Sequence, residues 1–128
     1  MTALVEDRFN VHPDMKGLLN AKLAVPKTVD PNDMRAGWNS YGASLSRPYP
    51  AGMVVGDTYL SCPGAGKDGR IPVRFYRPRG VKVLSPCVLY LHGGAFVKGS
   101  LDRGYTVAWG IADQIGCIGV SVDYRLAP

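Results

Sequence analysis

The chain has 128 residues, 46% of them apolar and 20% charged, with 16 glycines, 10 prolines and a formal net charge of +5. That length holds one domain or part of one, and the composition excludes a disordered or collagen-like polymer. No apolar run approaches the ~20 residues of a membrane span, and the acidic start from Met1 to Asp7 lacks the basic and then apolar order of a signal peptide, so a cytoplasmic protein is expected. The three cysteines, Cys62, Cys87 and Cys117, show neither CxxC nor Cys/His spacing. They are expected to be small buried hydrophobes, with no disulfide framework, metal or cofactor. Much of the positive charge falls on Arg70, Arg74, Arg77, Arg79 and Lys82, without interleaved aromatic residues. A solvated strand face is expected there, not a nucleic-acid surface.

The first 50 residues predict short helices separated by breakers. Over 13–24, Met15, Leu18, Leu19 and Leu23 recur at helical spacing, and Val25-Pro26 ends the pattern. His12, just before it, is expected at the surface. In the second helix Asp30 is an N-cap, Pro31 fits the first helical position where its missing N–H costs nothing, and Asp33 faces the positive end of the dipole. That helix is expected to reach about Tyr41, before Gly42. Residues 46–52, with Pro48 and Pro50, are expected to form a linker.

The period then changes. Residues 53–62 predict a strand, 63–69 a Gly/Pro turn, and 71–76 an alternating strand, together an antiparallel pair with one wet face. Residues 87–91 (Cys-Val-Leu-Tyr-Leu) and most of 117–122 are continuously apolar, as suits parallel strands covered on both faces. Between them a helix over 103–115 carries Val107, Ala108, Ile111, Ala112 and Ile115 on one side and stops at Gly116. Strand, helix, strand is a βαβ unit with a right-handed crossover expected.

The stretch richest in chemistry follows the third strand: Leu91-His92-Gly93-Gly94-Ala95-Phe96. Glycines here let the backbone turn sharply and leave N–H groups in the space beyond the strand's carboxyl end, where open α/β sheets bind ligands. Such donors suit an oxyanion, because the carbonyl oxygen of an acyl group gains negative charge in the transition state of acyl transfer. Ser100 precedes a helix and is expected to cap it. Ser121, in Gly119-Val120-Ser121-Val122-Asp123, misses the G-x-S-x-G pattern by one residue and sits inside an apolar strand, so a small buried residue is expected. Asp123 and Arg125 are expected to serve structural charge pairing.

His92-Gly93-Gly94-Ala95-Phe96, then Lys98-Gly99-Ser100, and after the helix Val122-Asp123-Tyr124-Arg125-Leu126-Ala127-Pro128, resemble the hormone-sensitive-lipase-like family of α/β-hydrolase esterases. Ile71-Pro72-Val73-Arg74-Phe75-Tyr76-Arg77-Pro78 is similar to the family's second strand. The resemblance implies an α/β fold in two parts: residues 1–50 a helical cap segment and linker, and residues 51–128 the first four strands of an incomplete hydrolase sheet. It also implies that the third strand lies between the fourth and a fifth that this sequence lacks. By the same resemblance, the N–H groups of Gly94 and Ala95, with Gly93 shaping the turn, form half of an oxyanion hole. Ala95 stands where many members have a third glycine, which is tolerable if its φ and ψ are open to alanine. His92 is then a loop-fixing residue and not the base, since the triad histidine comes last in the hydrolase order. Phe96 marks the pocket margin, whereas Trp109 packs.

The family's nucleophile, acid and base are not among these residues, so the expected function is that of the N-terminal portion of a serine ester hydrolase. Its expected partners are a small acyl ester and the remaining C-terminal part of the same fold. A receptor-like ligand-binding module on the same fold, or an inactive fragment, is the alternative.

Overall fold

The computed structural model of the chain describes residues 11–25, 27–64 and 68–128. The acidic start at Met1 to Asp7 and the middle of the turn over 63–69 lie outside the described residues. Helix α1 (Pro13–Leu23) begins at His12, whose Nδ1 accepts the Asp14 N–H at 3.3 Å. His12 is exposed as expected, and it also serves as the cap. Helix α2 (Pro31–Ser44) is capped by Asp30, whose Oδ1 accepts from Asn32 N at 2.8 Å and Asp33 N at 3.3 Å. It runs three residues past its expected end, because Gly42 is buried inside it. A mid-helix glycine costs ~1 kcal/mol against alanine, an amount that packing readily offsets.

The strands are β1 (Val54–Ser61), β2 (Arg70–Arg77), β3 (Cys87–Leu91) and β4 (Ile118–Val122), with helix α3 (Leu101–Ile115) between the last two. The sheet order is β1-β2-β4-β3. β1 pairs with β2 and β2 with β4 antiparallel, while β3 and β4 are parallel, with Leu89 opposite Val120 and Leu91 opposite Val122. The expected neighbours therefore pair, and β3 forms an edge.

Side-chain alternation gives this sheet two unlike faces. Gly119 is pressed against α3: a Cβ there would stand 2.9 Å from the Ala108 carbonyl oxygen and 3.1 Å from the Ala112 Cβ. Register then puts Tyr76, Arg74, Tyr90 and Ser121 on the α3 side. Tyr76 and Ser121 are fully buried there, and burial pushes the Tyr76 phenol well above its usual value. Arg74 binds both Asp57 oxygens, at 2.6 and 2.8 Å, and Asp102 of α3 at 2.6 Å. The guanidinium holds the Asp57 carboxyl below its ordinary value, mainly through these hydrogen bonds. Arg74 was expected on a wet face, but it is a half-buried tie between strand and helix. No periodicity argument reveals that, since it depends on which helix lies over the sheet.

The other face carries Cys87, Leu89 and Leu91 of β3, and Leu89 and Leu91 are 62% and 59% exposed. The expectation of a strand covered on both faces is therefore corrected for β3 among the described residues: its apolar run is right, but cover lies on one side. Cys87 is exposed for the same reason, Cys62 is half-buried, and Cys117 alone of the three is buried; all are free thiols. Helix α3 also divides its apolar residues otherwise than expected. Ala108 and Ala112 are buried against β4, whereas Val107, Ile111 and Ile115 form an exposed ridge. Small residues win the inner position because Gly119 brings strand and helix so close.

Candidate active site

The loop between β3 and α3 starts at the carboxyl end of a parallel edge strand, the side on which open α/β sheets bind ligands. Its glycines are not equivalent. A Cβ at Gly94, where φ is +140°, would fall 1.8 Å from the Lys98 carbonyl oxygen, and one at Gly99, φ +125°, 2.1 Å from the His92 Nδ1. At Gly93 a Cβ would meet nothing within 4 Å. The tight turn is thus enforced at Gly94 and Gly99, and Gly93, expected to shape it, is under no such constraint. Ala95 and Phe96 follow with φ of 54° and 62°, so the position where a third glycine was anticipated is left-handed, with alanine accepting it. A non-glycine residue persists in that region where its surroundings over-determine it.

Those surroundings are visible. His92 is 3% exposed, and its ring stacks on Tyr124 with centroids 4.3 Å apart. Its Nδ1 lies 3.1 Å from the Gly93 carbonyl oxygen, a contact that requires the proton on Nδ1, because a carbonyl only accepts. Nε2 is 3.9 Å from Asp123 Oδ1, beyond hydrogen-bond reach. Burial raises the Asp123 carboxyl above its ordinary value, and His92 and Arg74 oppose that rise. Among the described residues no ion pair joins Asp123 to Arg125, which is exposed, and the cationic groups that act on Asp123 come from elsewhere in the fold.

Most carbonyls between His92 and Val97 accept hydrogen bonds. The Tyr124 hydroxyl donates to His92 O, Val97 N and Lys98 N both donate to Gly94 O at 3.2 Å, and Ala127 N donates to Phe96 O at 2.8 Å. Arg35 of α2 donates through Nε to Val97 O at 2.9 Å. By contrast, the N–H groups of Gly94 and Ala95 donate to no backbone carbonyl among the described residues. Phe96 is 72% exposed at the mouth of the loop, its ring centroid 6.0 Å from that of Tyr124.

Other candidates fall away from the loop amides. Ser100 occupies the N-cap of α3 but makes no capping bond; its hydroxyl donates to Asn39 Oδ1 at 3.3 Å, so the expected capping role is corrected. Ser121 is buried inside β4 as expected. Trp109 packs edge-on against Tyr49 at 6.4 Å. An open cavity of about 750 Å³ lies between α1, α2 and Lys98, but none of residues 93–96 lines it. No helix among the described residues is long and apolar enough to cross a membrane.

Sequence reasoning missed Arg35, and it quoted Tyr124 and Ala127 within a motif without giving them a task. Arg35 sits 62 and 92 residues from the carbonyls it binds, a separation no local signal spans.

Comparison with known proteins gives these features a context. Residues 88–128 match a family described as having the α/β hydrolase fold. Over 65 residues, 48% of this chain, the sequence is 45% identical to an ethyl acetate hydrolase of Pseudomonas putida, covering 20% of that protein. An esterase from the archaeon Pyrobaculum calidifontis superposes with a TM-score of 0.72 at 32% identity, over 92% of this chain and 37% of its own. An esterase from the bacterial hormone-sensitive lipase family superposes with a TM-score of 0.69 at 25% identity, over 92% of this chain and 37% of its own. The chain thus spans well under half the length of the proteins it matches. It has the α/β-hydrolase fold, and by sequence and structure together its resemblance is to the N-terminal portion of the hormone-sensitive-lipase-like esterases.

Proposed function

We propose that this chain supplies the oxyanion-binding part of a serine carboxylic-ester hydrolase acting on small or medium acyl esters. The observation that carries the reading is an asymmetry in the loop: the carbonyls of His92, Gly93, Gly94, Phe96 and Val97 accept hydrogen bonds, while the N–H groups of Gly94 and Ala95 have no backbone acceptor among the described residues. Donors held in advance need no reorganisation when a carbonyl oxygen turns into an oxyanion, and removing one such donor costs ~10² to 10³ in rate. In this reading residues 1–50 belong to a helical cap and linker and residues 51–128 to the hydrolase core. A serine nucleophile, its acid and its base come from polypeptide outside these 128 residues. The serine oxygen attacks the ester carbonyl as the base takes its proton, and the oxyanion rests on the Gly94 and Ala95 amides and on one donor from that other portion. Collapse breaks the bond to the alcohol, which leaves with that proton; water then hydrolyses the acyl-enzyme to the acid and free serine. His92, buried with its ring on Tyr124 and Nδ1 on Gly93 O, fixes the loop and carries no proton to substrate. Phe96 lies at the rim, where an acyl or alcohol group passes.

The test is turnover of p-nitrophenyl acetate and longer p-nitrophenyl esters by the full-length protein and by residues 1–128 alone. Turnover by the former, blocked by a serine-directed phosphonate, with none by the latter, is expected. A full-length protein that binds the esters without hydrolysing them would instead support a receptor-like module.

A further inference from the structure

We propose that Arg35 is a positioning residue for the oxyanion loop, so that the seating of helix α2 sets the placement of the Gly94 and Ala95 donors. This rests on the hydrolase reading above. The observation is a register match between a helix and a loop that no sequence motif joins. Arg35, Trp38 and Asn39 stand at i, i+3 and i+4, one face of α2. They meet the outgoing limb of the loop in order. Arg35 Nε donates to Val97 O at 2.9 Å, the Trp38 ring lies 4.3 Å from Lys98 Nζ, and Asn39 Oδ1 accepts from Ser100 Oγ at 3.3 Å.

Arg35 does more than touch the limb. Its second arm, Nη2, donates to Ala127 O at 2.7 Å, and Ala127 N in turn donates to Phe96 O at 2.8 Å. One guanidinium therefore ties the loop to the segment after β4, closing a ring through Val97, Phe96 and Ala127. A planar fork with fixed donors spans two carbonyls in this way, whereas a lysine is a point charge with no such fixed spacing. The ring closes directly beside Ala95 and Phe96, whose left-handed φ values require outside support. With the Val97 and Ala127 carbonyls released, the turn relaxes and the donor amides drift from the oxyanion. Binding of the ground-state ester, made elsewhere, changes little. Uniform binding and transition-state binding then separate in the kinetics.

The experiment uses the full-length protein with Arg35→Met and Arg35→Lys. In Arg35→Met, kcat for p-nitrophenyl acetate should fall ~10- to 100-fold with KM within about 2-fold, as expected for donors displaced rather than deleted. Affinity for a phenylboronic acid, which forms a tetrahedral adduct with the serine, should fall with kcat, and amides of residues 92–98 should exchange faster with solvent. Arg35→Lys should recover part of each effect, and it carries the test if the methionine variant does not fold. A folded variant with unchanged kcat and unchanged exchange overturns the proposal, as does a rise in KM alone. If the unmodified protein turns over no ester, the hydrolase reading falls. Loop exchange then decides the case for Arg35 by itself: faster exchange in the variants supports the clamp, and unchanged exchange refutes it.

Discussion

Strand β3 and the loop that follows it are neighbours in sequence, yet they differ in how far their needs are met. The strand is apolar throughout, and Leu89 and Leu91 stand 62% and 59% exposed. The loop is rich in glycine and mixes polar with apolar residues, yet His92 is 3% exposed and the carbonyls of His92, Gly94, Phe96 and Val97 all accept hydrogen bonds. Apolar burial needs area, and area comes from whatever layer lies opposite. A turn needs a few bonds at fixed places, and nearby segments supply them here. The loop's bonded carbonyls thus find their donors within this chain, while among the described residues one face of the sheet is left uncovered.

Substitutions in the loop should break this contrast most strongly. Gly94→Ala drives a methyl into the Lys98 carbonyl and Gly99→Ala into the His92 ring, so each should cost about 3 kcal/mol or more in a urea titration of the full-length protein. Gly93→Ala meets open space and should stay within about 1 kcal/mol. Equal costs at the three glycines would refute the assignment of the turn to Gly94 and Gly99. Next comes the strand. If further polypeptide covers the outer face of β3, Leu89→Ala should cost ~2 to 3 kcal/mol in the full-length protein and close to nothing in residues 1–128 alone. A negligible cost in both would mean that this face stays wet.

The covered face offers a control. Arg74→Met removes three hydrogen bonds to two carboxylates, one side chain 56% exposed and the other 79%, so solvent screening limits the loss to the order of 1–2 kcal/mol. Because Arg74 lowers the Asp57 pKa, the stability that Asp57 contributes is present above its unfolded value and is lost as pH falls through the folded one. In Arg74→Met, denaturation midpoints should consequently fall less steeply below about pH 4 than in the parent.

Asp123 has the opposite sign. Burial raises its pKa, so the folded protein holds that proton more tightly than the unfolded chain, and its contribution is greatest below the unfolded value and is lost as pH rises through the folded one. Asp123→Asn should remove that slope and leave the protein relatively more stable at neutral pH than at about pH 4 when compared with the parent. The smallest effect is expected inside β4. The Ser121 Oγ is buried with no hydrogen-bond partner among the described residues, so Ser121→Ala should be neutral or stabilising by up to about 1 kcal/mol.

Much of this was legible in the sequence. Asp30-Pro31 marked the start of α2, because capping is a local exchange of bonds within one turn. The apolar runs marked β3 and β4, because mostly apolar runs of five residues, with Pro or Gly close by, are too short for a helix and suit a strand. His92-Gly93-Gly94-Ala95-Phe96 marked the candidate donor loop by its place after β3. The work done by Arg35, Arg74 and Gly99 was not legible, and neither was the exposure of Cys87 and Leu89. Each of these depends on a partner far along the chain or on a covering layer.

By itself, then, the sequence determined where most helices and strands lie and pointed to the loop after β3 as the candidate site, since these follow from spacing, caps and short-range sterics. Only the tertiary structure decided which glycines the turn cannot lose, which charges are tied together and which face of the sheet is bare, since those are set by what stands within a few ångströms in space.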